Sequence, residues 1–345
     1  MGVNLTPIII KHIIRLEDLA GRKIAVDANN FLYQFLALVR TPRGFPLEAP
    51  NGSITSHLAG LLYRTTRLLS EYNMRLVFVF DGKPPEYKQR EIEKRRQLRE
   101  KVTREWQEAL KAADYAKAFS KAVMTSRLTQ PMIQDAKKLL ELLGIPYVQA
   151  PSEAEAQAAY MAMKGDVWAS SSKDYDSLLF GTPRLIRYLT ISGREFLPSK
   201  MTSRPLKPEL ITLEEFLSRI GITREQLIDV AILMGTDFNE GIKGIGPKTA
   251  LRLIRRHGAI ESLQYEIRGK VVTYYEEVRR LFLTPKVAKD YTTNYGRLRE
   301  DELYTFLCDQ KGFTRDRVEK AVQRIRVSRE KTEQSSLGEW LGEPN

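Results

Sequence analysis

Seven acids could do chemistry by their type and place: Asp27, Asp81, Glu153, Glu155, Asp174, Asp176 and Asp237. Each falls at the end of an expected element, where side chains from distant parts of a chain can converge. Ionised carboxylates held together repel, and they raise one another's pKa values unless a cation neutralises them. The chain offers little besides oxygen to hold that cation, since Cys308 is its one cysteine and its three histidines are scattered. All-oxygen donors select Mg2+ or Mn2+. Two such ions about 4 Å apart can activate a water and stabilise the leaving oxygen of an in-line phosphodiester displacement.

The elements that must carry these acids alternate between strand and helix. Residues 22–27 read as a short buried strand ending on Asp27, followed by a helical run to about Val39, and residues 75–80 repeat the pattern and stop before Asp81. Residues 41–56, with three Pro and two Gly, read as a loop before a helix at 58–69. A helix at 131–143 has Pro131 in its first position and ends before Gly144. A strand at 145–148 then leads into Ala150-Pro151-Ser152-Glu153-Ala154-Glu155-Ala156. Here Ser152 as N-cap and Glu155 three residues later read as a capping box, which leaves Glu153 unexplained, because residues two apart on a helix diverge. A strand at 167–170 delivers Asp174 and Asp176, which project from one face of an extended segment. This alternation predicts an α/β fold with a mostly parallel central sheet flanked by helices, where ligands bind outside the carboxyl ends of the strands.

Two stretches interrupt the pattern. Residues 83–104 are densely charged, with basic side chains at nine positions and acids interspersed, which also describes a solvated helix laced with i,i+4 pairs. Residues 106–123 read as a second, amphipathic helix, so that the two form a helical excursion. Helices at 211–220 and 224–234 follow, the second closed by Gly235-Thr236-Asp237. Residues 241–250, Gly-Ile-Lys-Gly-Ile-Gly-Pro-Lys-Thr-Ala, open a helix with turn-forming glycines and exposed N–H groups, an arrangement that holds a phosphate. No strand is expected before them, so the spacing is no dinucleotide fingerprint. Lys243, Gly244, Gly246 and Lys248 are the candidate phosphate contacts. Helical patterns continue to about Arg329, and a polar tail follows.

At 345 residues the chain suits one large α/β unit or two packed subdomains. Lys plus Arg at 55 against Asp plus Glu at 43 leave a net charge of +12, which suits a polyanionic partner. The lone cysteine excludes an internal disulfide and points to a reducing compartment. No stretch reaches the roughly 20 apolar residues of a membrane span, no signal peptide opens the chain, and no solenoid repeat is visible. The reading is therefore a soluble, cytoplasmic, metal-dependent enzyme that hydrolyses nucleic acid.

The motifs also resemble a known family. Val26-Asp27-Ala28, Tyr33-Gln34-Phe35-Leu36, Val79-Phe80-Asp81-Gly82-Lys83-Pro84-Pro85, the 150–156 segment, Lys173-Asp174-Tyr175-Asp176 and Gly244-Ile245-Gly246-Pro247-Lys248 are similar, in order and spacing, to the flap endonucleases. The absence of a long basic extension after the tail looks like the archaeal members. The resemblance implies a 5′ nuclease that removes 5′ flaps at single-strand/double-strand junctions in replication and repair, with 5′-3′ exonuclease activity. It implies that all seven acids hold two Mg2+ ions, with Mn2+ as substitute, and that Lys88 and Arg95 reach the scissile phosphate. Tyr33 would stack on a base near the cut, and Arg40, Thr55, Arg64 and Lys311 would hold a one-nucleotide 3′ flap. Residues 241–250 would belong to a helix–two-turn–helix at 225–255 that grips duplex phosphates around a K+ ion.

The same resemblance divides the chain into a single nuclease core at 1–330 and a flexible tail at 331–345. The core comprises an N-terminal region at 1–104, a gateway and cap at about 83–130, an internal region at about 131–260 and C-terminal helices at 260–330. Gln334, Leu337, Trp340 and Leu341 look like a motif for the replication sliding clamp, with Leu341 replacing a frequent second aromatic. The protein is expected to act as a monomer. Two other readings stand beside this one: a catalytically silent, clamp-bound module for branched DNA, and a related 5′ nuclease acting on bubbles, nicks or RNA ends.

Overall fold

The computed structural model describes residues 2–41, 45–112, 114, 117, 121, 125–189, 193–197 and 202–341, with backbone alone at 110, 193–197, 202–205 and 332–341. Strands β1 (His12–Ile13), β2 (Lys23–Asp27), β3 (Arg75–Phe80), β4 (Tyr147–Gln149), β5 (Ala169–Ser171), β6 (Arg184–Arg187) and β9 (Glu209–Thr212) form one sheet in the order β1-β9-β6-β5-β2-β3-β4. From β6 to β4 every pairing is parallel. The edge is not: β9 runs antiparallel to β6, and β1 antiparallel to β9. Two short hairpins, β7 (Gly193–Leu197) with β8 (Thr202–Leu206) and β10 (Gly235–Thr236) with β11 (Asn239–Glu240), stand apart from it.

Strand alternation explains why the central strands are apolar throughout. In β2 and β3, Ile24, Val26, Leu76, Phe78 and Phe80 face one core, shared with helices Ala28–Leu38, Ser56–Glu71 and Gln130–Leu143. Ala25, Val77 and Val79 face the other way, onto the helix Ala154–Met163. With both faces covered, successive residues are buried and the hydrophobic run is continuous. The helix Ala154–Met163 is rich in alanine, so its backbone can lie close over β2, β3 and β5. A further core joins helices Leu213–Ile220, Arg224–Met234, Pro247–His257 and Tyr275–Leu283.

Several expectations are corrected. The helix Gln89–Lys111 runs through residues 104–106 without a break, so Trp106 does not begin a second helix; much of the rest of the expected 106–123 helix lies outside the described residues. Its i,i+3 and i,i+4 pairs, Arg95 with Glu91 and Arg96 with Glu93, favour one uninterrupted helix. The helix expected at 211–220 begins only at Leu213, because residues 209–212 are drawn into β9. Strand β11 precedes the glycine turn, contrary to expectation, although no βαβ unit results. The tail is helical in backbone where a flexible segment was expected: one helix spans Arg315–Leu341. The side chains of Gln334, Leu337, Trp340 and Leu341 lie outside the described ones.

Candidate active site

Parallel strands carry the first acids to one edge of the sheet. Asp27 ends β2, and its carboxylate caps the following helix by accepting from Asn30 N at 2.9 Å. Asp81 follows β3, two residues beyond Val79, the register partner of Asp27. Its Oδ1 accepts from Ala154 N at 2.8 Å, so it caps the helix Ala154–Met163 from another strand. Gly82 lets the two segments meet, since a Cβ there would stand 2.2 Å from Ala150 O. The expected capping box is therefore absent: Glu153 occupies the N-cap but its side chain makes no capping bond, and Glu155 turns inward to accept from Ser172 Oγ at 2.7 Å and Ser177 Oγ at 3.3 Å. Asp81 has taken the role assigned to Ser152, and both glutamates are left for the site.

Strand β5 delivers the next pair. Asn30 Nδ2 donates to Asp174 Oδ2 at 3.3 Å, which links the 174 loop to the Asp27 cap. Asp176 begins a short helix, is 5% exposed and accepts from Val3 N at 2.7 Å. Asp237 comes from the turn between β10 and β11 and meets Arg95 Nη2 at 2.7 Å and Lys88 Nζ at 3.7 Å. Lys88 also bonds Glu153 Oε2. The seven-residue spacing of Lys88 and Arg95 thus aims both cations at one acid, with Lys88 in the 3-10 turn Glu86–Lys88 that enters the charged helix. Asn30, Ser172 and Ser177 are site residues that sequence reasoning missed; only Asn30, three positions after a strand-ending Asp, carried a local signal.

The electrostatics join these groups into one network. Burial pushes Asp27 well above the usual carboxylate range, and the charges of Asp81 and Asp174 add to it. Burial, with Asp176, Asp27 and Asp174, does the same to Glu155. Asp176 rises to about 7 through burial and the charges of Asp237 and Asp174. Burial raises Asp81 against the opposing Ala154 hydrogen bond, and it raises Glu153 although Lys88 opposes it. Asp237 differs: burial would raise it, but Arg95 and Lys88 hold it below the usual range. Among the described residues, no three of these acids already close into a finished ligand cage. Several spend an oxygen on a backbone N–H, and Glu153 and Asp237 face cations. The donor set still fits a hard divalent ion, being all oxygen and mutually repelling, with Asp27, Asp176 and Asp237 buried.

The XPG N-terminal domain matches residues 1–102, and the XPG I-region matches residues 144–237. Flap endonuclease 1 of Pyrococcus abyssi is 48% identical over 99% of this chain and 98% of its own length. The chain belongs to the flap endonuclease family. Among solved structures, the flap endonuclease-1 from Methanococcus jannaschii is 42% identical with a TM-score of 0.76, covering 96% of this chain and all of that one. A catalytic core of Rad2 in complex with DNA substrate is 25% identical with a TM-score of 0.64, covering 91% of this chain and 95% of that one.

The remaining candidates of this flap endonuclease fall into separate places. Tyr33 is exposed on the helix that Asp27 caps. Thr55 and Lys311 line one cavity of about 540 Å3 with Thr41, Tyr63 and Phe313. Arg40 adjoins it through a bridge to Pro46 and donates to Ser126 Oγ at 2.8 Å, whereas Arg64 is exposed on the helix Ser56–Glu71 and does not line it. Lys311 pairs with Asp135 at 2.5 Å. Gly244 has φ +87°, open to glycine without strain. Gly246 caps the helix Pro247–His257, which has no acid in its first turn, and exposed Lys243 and Lys248 flank the turn.

Proposed function

We propose that this flap endonuclease hydrolyses phosphodiesters at 5′ flaps of branched DNA during replication and repair, with 5′-3′ exonuclease activity, at the seven-acid site. The observation that carries the reading is the excess of carboxylates gathered at the strand ends, Asp27, Glu155 and Asp176 among them raised by burial and by their neighbours' charge, with Lys88 and Arg95 facing the cluster among the described residues. The family is divalent-metal dependent. Asp27, Asp81, Glu153, Glu155, Asp174, Asp176 and Asp237 would hold two Mg2+ ions, or Mn2+ in their place. Bound there, such ions would offset the acids' repulsion, lower the pKa of a water and stabilise the leaving oxygen.

The chain's own residues do the rest. Arg95 presents a fork of donors that stays charged at any working pH, and Lys88 a compact charge, both suited to a scissile phosphate. Tyr33 offers a ring for base stacking. Thr55 and Lys311, with Arg40 beside their cavity and Arg64 on the helix that follows Thr55, receive a one-nucleotide 3′ flap. The turn at 241–250 grips duplex phosphates through backbone N–H groups, Lys243 and Lys248, around a K+ ion. The divisions at 1–104, 83–130, 131–260, 260–330 and 331–345 serve as catalytic, threading, duplex-gripping and tethering regions of one monomer. Gln334, Leu337, Trp340 and Leu341 dock on the sliding clamp. No helix among the described residues is long and apolar enough to cross a membrane, and we assign the enzyme to the cytoplasm.

Removing the metal and one of its acids tests the assignment. EDTA is expected to abolish cleavage of a 5′-flap duplex and Mg2+ to restore it, while Asp174→Ala binds the flap but cleaves orders of magnitude more slowly. Wild-type rates from that variant in Mg2+ would reject the site.

A further inference from the structure

The loop that carries Asp174 and Asp176 is held from outside by one buried side chain. Arg187 ends β6, the parallel neighbour of β5, from which the loop departs. Its guanidinium is sandwiched between the Tyr175 and Tyr188 rings, 4.0 and 4.7 Å from their centroids. Nε donates to Lys173 O at 2.9 Å, Nη1 to Tyr175 OH at 2.5 Å and Glu209 Oε2 at 2.9 Å, and Nη2 to Tyr188 OH at 2.9 Å. Glu209 lies opposite on β9, where Arg187 and Glu209 are register partners, and it also takes Lys11 at 2.5 Å. Tyr188 adopts φ +61°, a conformation a tyrosine rarely takes unless its surroundings impose it.

The geometry points to a positioning role: we infer that Arg187 fixes the spacing of Asp174 and Asp176 by gripping the residues on either side of Asp174. Lys173 is held by its carbonyl and Tyr175 by its hydroxyl and ring, which leaves Asp174 little freedom and sets the start of the Asp176 helix. Arg187 has no contact with the acids and acts only through the loop. A planar fork with donors on three nitrogens can satisfy this set of acceptors, and an ammonium cannot. Groups that orient metal ligands from behind in this way typically shift metal affinity by about ten- to a hundredfold when removed. The inference rests on the assignment of Asp174 and Asp176 as metal ligands.

The experiment uses the full chain with four variants: Arg187→Met; Arg187→Met/Glu209→Gln, which avoids leaving the glutamate's charge behind; Arg187→Lys; and Tyr175→Phe, which keeps the ring and removes one acceptor. Three quantities are read: Mn2+ binding without DNA by electron paramagnetic resonance, the Mg2+ concentration for half-maximal cleavage of a 5′-flap duplex, and flap affinity in Ca2+. Both variants that carry Arg187→Met are expected to need about tenfold more metal in the first two readouts. Arg187→Lys should not restore wild-type metal dependence, Tyr175→Phe should move it the same way by less, and flap affinity should stay constant. Unchanged Mn2+ affinity and Mg2+ requirement in every variant that folds would overturn the inference. Asp176→Ala serves as the control: normal Mn2+ binding by that variant would bring down the metal assignment itself and this inference with it.

Discussion

Asp176 and Asp229 are both buried acids, 5% and 3% exposed, and burial raises the pKa of both. Their surroundings differ. Asp229 is matched: Arg279 meets it at 2.7 Å, Ile260 N donates to its other oxygen at 3.2 Å, and Arg279 pairs onward with Glu261. Asp176 has one backbone donor and is ringed by Asp174, Asp237 and Glu155. A buried charge that finds its partner inside the chain serves the scaffold. A cluster left with surplus charge is built for something that arrives from outside.

Substitution should pull the two acids apart. Asp176→Ala is expected to lower cleavage at least about a thousandfold, because it removes a ligand from the group that generates the nucleophile. Its thermal stability without metal should stay level or rise, since repulsion is relieved. Asp229→Ala should do the opposite, costing about 3 kcal/mol by denaturant unfolding while each folded molecule cleaves normally. If both variants lost stability alike and neither lost turnover, the contrast would vanish.

A smaller effect comes from pH. The carboxyl of Asp176 titrates near 7 in the fold against an ordinary 3.8. An acid raised in this way favours folding while neutral, so its contribution is fully present below about 3.8 and is lost as pH rises through about 7. Metal-free protein should therefore lose stability across that window. The increase in melting temperature produced by Mg2+ should be larger at pH 8 than at pH 5, because the ion binds the ionised form. Equal Mg2+ effects at the two values would contradict the surplus-charge account.

The smallest effect concerns the phosphate grip. Replacing Lys248 by Ala should weaken flap binding without altering sequence preference and reduce the log–log salt slope by about one. An unchanged slope would remove Lys248 from the contact surface.

The sequence made the acids legible because apolar runs that stop on Asp27 and Asp81 announce parallel strands and their carboxyl ends. It also made the glycine turn at 241–250 legible, through residues with special backbone needs. What it hid was action at a distance. Ser152 and Glu155 fit a local capping rule, yet Asp81 caps that helix from 73 residues away. The antiparallel edge was missed because residues 211–212, in the second half of β9, read as the start of a helix until β6 pairs with them. Arg187 had no sequence signal at all, since its acceptors come from three separate segments.

The central claim is that the surplus acids serve metal-dependent cutting of 5′ flaps. Its most direct test incubates the protein with Mg2+ and matched 5′-flap, 3′-flap and bubble duplexes and maps every cut at nucleotide resolution. Cleavage concentrated at the base of the 5′ flap, and lost with EDTA, is the predicted result. Equal cutting of all three substrates, or 5′-flap cutting that persists without divalent metal, would contradict it.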